Sequence, residues 1–232
     1  MDKISCVSIV VSGGKGLRMG GNVKKQFIDI DNECIIVSTL KAISKSEYID
    51  KIILVVGSED IEFSKKLVKE NSLSKVKKIV AGGNTRSESV KNGLLNVEKC
   101  DVVAIHDGVR PLVSQKSIDE CINNAFIYGA SALGVTPKDT IKVKNKDFID
   151  KTIDRDSLVI IQTPQCFKYD IIKKAYENFN PDFTDDCMQV ESMGYKIHIT
   201  QGEYKNIKIT TKSDLVLFKA LKKGKGEDEI WE

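Results

Sequence analysis

A chain of 232 residues with 41% hydrophobic and 30% charged content has the make-up of a globular protein long enough to bury one substantial core. Its 36 basic and 33 acidic residues nearly cancel, to a net charge of +3, which excludes a broadly basic nucleic-acid-binding surface and leaves only local charge clusters to bind anions. No apolar run approaches a membrane span, and the short run at the amino terminus lacks the long apolar region and cleavage site of a secretion signal, so a cytoplasmic protein is expected.

In chain order, short β-branched apolar runs alternate with amphipathic stretches. A strand is expected at 4–11, a helix at 35–43, a strand at 51–57, a helix at 59–71 and a strand at 76–82. A helix at 85–97 and a strand at 101–107 follow. The next helix spans 115–128 and stops at Gly129, before a strand at 131–136. Strands this continuously apolar suit a parallel sheet covered on both faces. The alternation predicts an α/β fold with a doubly wound, mostly parallel, Rossmann-like sheet and right-handed crossovers. After Thr136 the rhythm breaks. Residues 137–156 read as a protruding β-hairpin arm about a polar "KNKD" turn, too small to have its own core and in need of a packing surface, such as a partner subunit. Beyond the arm come a strand in "IIQTPQCF", a helix near 168–178 and an acidic helix start at "TDDCMQVESMG". Strands in "YKIHIT" and "NIKIT" and a last helix from about Thr211 complete the order, and the tail 224–232 reads as frayed. The chain reads as one domain, 1–232, with its arm at about 137–156. The six cysteines form no C-x-x-C pair, so neither zinc nor a redox motif is signalled, and Cys6 and Cys121 read as buried thiols.

The stretch "VSGGKGLRMGGNVKKQF", 11–27, follows the first strand, where open α/β sheets bind ligands. It is neither of the two familiar phosphate loops. No G-x-x-x-x-G-K-[ST] string is present, and a G-x-G-x-x-G run from Gly14 and Gly16 would need glycine at Met19. By themselves the glycines are equally explained by a tight turn. Arg18 and Lys25, close together on one segment, repel unless an anion such as a triphosphate satisfies them. Lys15 and Lys24 read as solvated.

With its companions, the stretch resembles a known signature. "GGKGLRMG…KKQF", "GGNTRSESV" (82–90), "HDGVRP" (106–111), "DTIK" (139–142), "TIDRDSL" (152–158), "QTPQ" (162–165), "TDD" (184–186) and "NIKIT" (206–210) together are similar to the motif series of the 2-C-methyl-D-erythritol 4-phosphate cytidylyltransferase family. The resemblance covers nearly the whole chain. It implies the joining of CTP to 2-C-methyl-D-erythritol 4-phosphate, with release of pyrophosphate, in non-mevalonate isoprenoid precursor synthesis. It implies Arg18 and Lys25 as catalytic cations. CTP would be held by Ser12, Gly13, Gly14 and Gly16 of the first loop, by Gly83 and Ser89 at the cytosine, and by Asp107. The polyol phosphate would meet Arg110, Thr140, Arg155 and Lys208, the arm residues acting across a homodimer.

The chemistry agrees with the composition. A phosphate nucleophile is already anionic, so no strong base is needed, and the chain has only two histidines. Positioning and charge stabilisation must carry the reaction. Asp107, at the end of a strand, suits Mg²⁺, which takes one or two carboxylates plus substrate phosphates; His106 reads as structural. Four positions depart from the family pattern: Ser12 and Gly108 where alanine is common, Lys24 in place of proline, and Lys205 where an acidic residue is frequent. A ribitol 5-phosphate cytidylyltransferase is the nearest alternative, and another sugar-phosphate nucleotidyltransferase a broader one. A non-catalytic nucleotide-binding module would be expected to have lost Arg18, Lys25 or Asp107, and a nicotinamide-dependent oxidoreductase is disfavoured by the glycine spacing.

Overall fold

The computed structural model describes residues 3–14, 23–177 and 179–223. Lys15, Gly16, Arg18 and the tail 224–232 lie outside the described residues. The core is a seven-stranded sheet built from β1 (Cys6–Ser12), β4 (Ile49–Val56), β5 (Val76–Ala81), β6 (Val102–Asp107), β7 (Ala130–Val135), β10 (Ile160–Lys168) and β11 (His198–Gln201). Their spatial order is β11-β7-β10-β6-β1-β4-β5. Six strands share one direction, and β10 runs against both of its neighbours.

Side chains alternate across this sheet, as the pleat requires. Cys6 and Val10 of β1 enter one buried cluster, Val7 and Ile9 the other. Helices α1 (Ile35–Ser44), α2 (Ile61–Glu70) and α4 (Gln115–Tyr128) cover the first face. Helices α3 (Arg86–Leu94), α5 (Tyr169–Glu177) and α6 (Asp186–Glu191) cover the second. The expected doubly wound α/β arrangement is therefore present, and double coverage explains why its strands read as unbroken apolar runs. Ser114 caps α4 by accepting from Ser117 N, and Gly129 ends it at φ +95°. All six cysteines are unpaired, and five are buried.

The chain turns back on the far side of β1. It runs from β1 through β4 to β5 on one side, then crosses to β6 on the other. The carboxyl ends of β1 and β6 thus flank a topological switch point, where open α/β sheets form their crevices.

Three local features differ from the expectations. A small ribbon, β2 (Asp29–Ile30) with β3 (Glu33–Cys34), turns through Asp31 and Asn32, both at positive φ (53° and 64°). Asp and Asn are the side chains that best tolerate that region, and a two-residue hairpin turn demands it. "NIKIT" forms no strand. Instead Asn206 is buried, with its amide donating to Gln162 Oε1 and Thr163 O. Ile209 packs with Ile30, Ile35, Val109 and Phe218, the last from helix α7 (Lys212–Lys223). Side-chain bonds and a backbone bond from Ile209 N to Val109 O at 2.9 Å, not a ladder, fix the segment. The strand expected in "YKIHIT" is confined to β11. The arm itself forms as expected, from β8 (Ile141–Asn145) and β9 (Phe148–Ile153), almost wholly exposed.

Gly93 marks where α3 approaches the sheet most closely. A Cβ there would stand 2.6 Å from Ile9 Cγ2 and 3.2 Å from Val55 Cγ2. Gly93→Ala should therefore destabilise by about 1–3 kcal/mol through overpacking, outweighing the roughly 1 kcal/mol that alanine gains in a helix. A thermal melt should show a midpoint lower by several degrees, and an unchanged or raised midpoint would contradict this packing.

Candidate active site

Asp107 ends β6 on the face covered by α3 and is 6% exposed. A carboxylate so buried needs compensating charge. Three cations supply it: Arg86 Nε at 3.2 Å from Oδ1, Lys208 Nζ at 2.8 Å from Oδ2 and Arg110 Nε at 3.6 Å from Oδ2. Burial alone would raise the Asp107 pKa, but the charges of Arg86, Lys208 and Arg110 overcome it and hold the group well below the usual carboxylate range. Arg86 also reaches Asp186, Nη2 to Oδ2 at 2.7 Å, and Asp186 Oδ1 accepts from the Tyr176 hydroxyl at 2.6 Å. Arg86 thus ties the end of β6 to α5 and α6. Burial works against its charge, and Asp186 and Asp107 more than offset that, so its pKa rises. The side chains of Asp107 and Asp186 are 8% and 0% exposed, so removing Arg86 from between them would leave buried charge uncompensated, at a cost of about 3–5 kcal/mol. Across these five groups the cations exceed the anions by one.

Two cavities meet at this cluster, and Arg86, Asp107 and Lys208 line both. The first, about 270 Å³, is bordered by Ser12, Gly13 and Gly14 from the loop after β1, and by Lys25. Its far wall is the turn after β5, with Gly83, Thr85 and Ser89. The second, about 240 Å³, is bordered by Arg110, by Gln162 and Thr163 where antiparallel β10 enters at the same edge, and by Thr184 and Asp185.

Short-range bonds set each wall. Gln26 Nε2 donates to Ser12 O at 2.9 Å and Gly14 O at 3.3 Å, holding the first loop. In the turn after β5, Thr85 accepts from Glu88 N, and Glu88 Oε2 accepts from Asn84 N at 2.6 Å. Ser89 Oγ accepts from Gly83 N at 3.1 Å and donates to Thr85 O at 2.9 Å, so its hydroxyl fastens the turn. At Gly83 a Cβ would lie 2.4 Å from Glu88 Cβ, so only glycine fits. Gln165 Oε1 accepts from Asp186 N and Cys187 N, which places α6 and with it Asp186. Arg110 Nη1 donates to Asn206 O at 2.7 Å.

Not every expected residue converges. Ser12, Gly13, Gly14, Lys25, Gly83, Ser89, Asp107 and Lys208 line the first cavity, and Arg110 the second. Gly16 and Arg18 lie outside the described residues. Thr140 and Arg155 are exposed on the arm and line neither cavity; Arg155 Nη1 donates to Lys138 O at 3.1 Å. Lys24 is not solvated but paired with Glu59 and Asp60. Arg86 and Asp186 were missed, although each stands inside a quoted motif, because nothing local shows that residues 100 positions apart meet. The departures at Ser12 and Gly108 touch: a Cβ at 108 would stand 2.9 Å from both Cβ and Oγ of Ser12. The smaller residue at 108 makes room for the larger one at 12. Among the described residues, no three His, Cys, Asp or Glu side chains converge as a metal cage.

His106, on the opposite face to Asp107, is fully buried. Its Nε2 lies 3.1 Å from Arg110 O, which can only accept, so Nε2 carries the proton. Thr163 Oγ1 accepts from Asp107 N and donates to His106 Nδ1, each at 3.1 Å. Burial brings the imidazole down to about 4. Its neutral form is favoured in the fold, so this contribution to stability is complete above the unfolded value of ~6.5. It is lost as pH falls through about 4. In proton NMR the His106 ring should show no titration from pH 8 to about 5; a midpoint near ~6.5 would overturn the assignment.

Comparison with known proteins agrees with this architecture. Residues 6–223 match the family model described as 2-C-methyl-D-erythritol 4-phosphate cytidylyltransferase. A protein of that name from Clostridium perfringens is 48% identical over 215 residues, spanning 91% of this chain and 96% of its own. The corresponding protein of Clostridium tetani is 47% identical, over 90% of this chain and 87% of its own. Among solved structures, the 4-diphosphocytidyl-2C-methyl-D-erythritol synthase of Anaerococcus prevotii superposes with a TM-score of 0.84 at 31% identity, covering 96% of this chain and 98% of that one. With a doubly wound sheet, paired cavities at its switch point and this match along nearly its full length, the chain belongs to the 2-C-methyl-D-erythritol 4-phosphate cytidylyltransferase family.

Proposed function

We infer that the chain joins CTP to 2-C-methyl-D-erythritol 4-phosphate, giving 4-diphosphocytidyl-2-C-methyl-D-erythritol and pyrophosphate. The observation that carries this reading is the pair of contiguous cavities sharing Arg86, Asp107 and Lys208. Two anionic substrates must meet at one phosphorus, and a cluster with excess positive charge between two cavities suits that meeting. CTP takes the first cavity. Its triphosphate lies against Ser12, Gly13 and Gly14, and its base against the turn of Gly83 and Ser89; the family motif assigns Gly16 to the triphosphate as well. Among the described residues, a Cβ at Gly14 would meet no atom within 4 Å, so packing against them does not demand glycine there, whereas a close phosphate would. The polyol phosphate takes the second cavity, against Arg110 and Lys208.

A phosphate oxygen of the polyol then attacks the α-phosphorus of CTP. The new P–O bond forms as the bond to the bridging α–β oxygen breaks, and pyrophosphate leaves. No proton need be removed, which fits a neutral His106 sealed from the cavities. Arg18 and Lys25 offset the charge that builds on the reacting phosphates, Arg through a fork of donors and Lys as a point charge. Asp107, whose oxygens face Arg86, Arg110 and Lys208, would hold Mg²⁺ as a single carboxylate ligand only together with the nucleotide phosphates, whose charge would offset those three cations. When bound, the ion would neutralise phosphate oxygens and orient the leaving group.

Thr140 and Arg155 act in the site of a second copy. Phe148 and Ile149 on the arm are 79% and 69% exposed, one on each side of the ribbon, and a lone two-stranded ribbon with such apolar side chains needs a packing surface. The homodimer works in the cytoplasm, where six unpaired cysteines suit a reducing environment; among the described residues, no helix is long and apolar enough to cross a membrane.

Pyrophosphate release with CTP and Mg²⁺ tests the reaction. It should occur with 2-C-methyl-D-erythritol 4-phosphate and not with D-ribitol 5-phosphate, and Lys25→Ala should slow it by about 10²–10³. Turnover with ribitol phosphate alone would keep the chemistry and move the acceptor; turnover with neither would refute the reading. Sedimentation should show a dimer that Phe148→Asp with Ile149→Asp converts to monomer with lost turnover, and a dimer that persists would refute the arm's role.

A further inference from the structure

Lys24 immediately precedes the cavity-lining Lys25. Its ammonium reaches Glu59 and, at 2.6 Å, Asp60 Oδ2, with the side chain 24% exposed. Both carboxylates belong to the 3-10 turn Ser58–Asp60 just beyond the carboxyl end of β4. Gly57 permits the approach, since a Cβ there would stand 2.8 Å from Asp60 Oδ2 and 2.9 Å from Glu59 Oε2.

The residues after Lys25 are tied elsewhere. Gln26 bonds to the carbonyls of Ser12 and Gly14. Phe27 meets Phe63 of α2 edge-on, with ring centroids 5.1 Å apart, and its N–H donates to Lys24 O at 2.9 Å. Residues 24, 26 and 27 are therefore each fastened to a different part of the frame, and Lys25 between them faces the cavity. Partial burial opposes the Lys24 charge, but Asp60 and Glu59 raise its pKa, while the bond from Lys24 brings the Glu59 carboxyl down to about 2. The bridge is charged throughout the neutral range.

We propose that Lys24 is a positioning residue, whose bridge to Glu59 and Asp60 fixes where Lys25 meets the reacting phosphates. This rests on the cytidylyl transfer inferred above. An ion pair that only added surface stability would matter little. One that aims a transition-state cation matters more, because misplacement by about 1 Å can cost up to ~10²-fold in rate.

The test is a mutant cycle, with kcat and KM for CTP measured on full-length protein. Lys24→Met should lower kcat about tenfold with a smaller change in KM. Glu59→Gln with Asp60→Asn should do the same from the other side of the bridge, and serves alone if Lys24→Met fails to fold by circular dichroism. Lys24→Arg should restore most of the rate. Added to Lys25→Ala, Lys24→Met should cost nothing further, because it acts through the lysine already removed. Losses that multiply in the Lys25→Ala background, or wild-type kcat in Lys24→Met, overturn the proposal while leaving the reaction standing. Wild-type protein that turns over neither polyol phosphate overturns the reaction and the positioning role together.

Discussion

A carboxylate sealed at the end of a central strand cannot remain charged without cations around it, and the arrangement near Asp107 follows from that need. Arg86 comes from the start of α3, Arg110 from the loop after β6 and Lys208 from an irregular segment near the carboxyl terminus. Each must be delivered within bonding reach by its own local structure. The capping bonds of Thr85 and Glu88 set Arg86, the bond to Asn206 O sets Arg110, and the bonds of Asn206 to β10 set the segment of Lys208. Asp186 draws Arg86 from the other side, and Gln165 positions Asp186. The cluster is thus the point where five separate parts of the chain are locked together. The same charges that keep Asp107 ionised leave a surplus of positive charge between two cavities.

This explains a division of labour between the faces of β6. His106 and Asp107 are adjacent, yet the pleat sends them to opposite sides. His106 is used inside the protein, neutral and bonded to Thr163 and Arg110 O. Asp107 is used at the cavity. Through Thr163, which accepts from Asp107 N, the histidine steadies the strand end that carries the carboxylate. A reaction whose nucleophile is already an anion leaves no task for a base, so sealing the imidazole away costs the chemistry nothing.

Much of this was legible in the sequence, wherever function rests on local pattern. The five parallel strands and four helices of the first 136 residues follow from hydrophobic periodicity and capping residues. The loop after β1 and "HDGVRP" point to the switch point because ligands gather at the carboxyl ends of parallel strands. What was not legible depends on contacts distant in sequence. Arg86 read as part of the helix at 85–97 and Asp186 as a helix start, and only folding brings them together. "NIKIT" alternates like a strand, but its asparagine finds better partners in β10 than a ladder would offer. Asp31–Asn32 was a readable turn signal, passed over because the strands it joins are two residues each. Lys24 looked solvated because a sequence does not show that the turn after β4 presents two carboxylates beside it.

The central claim is that one charged cluster serves both cavities at once, and Arg86 is its common strut. Calorimetric titration of CTP and, separately, of 2-C-methyl-D-erythritol 4-phosphate into folded Arg86→Met protein tests this most directly, with Arg86→Lys as the charge-retaining control. The account predicts that Arg86→Met weakens both ligands about tenfold or more, the scale of one charged hydrogen bond lost. Wild-type affinity for both ligands in a protein that keeps its fold would contradict it.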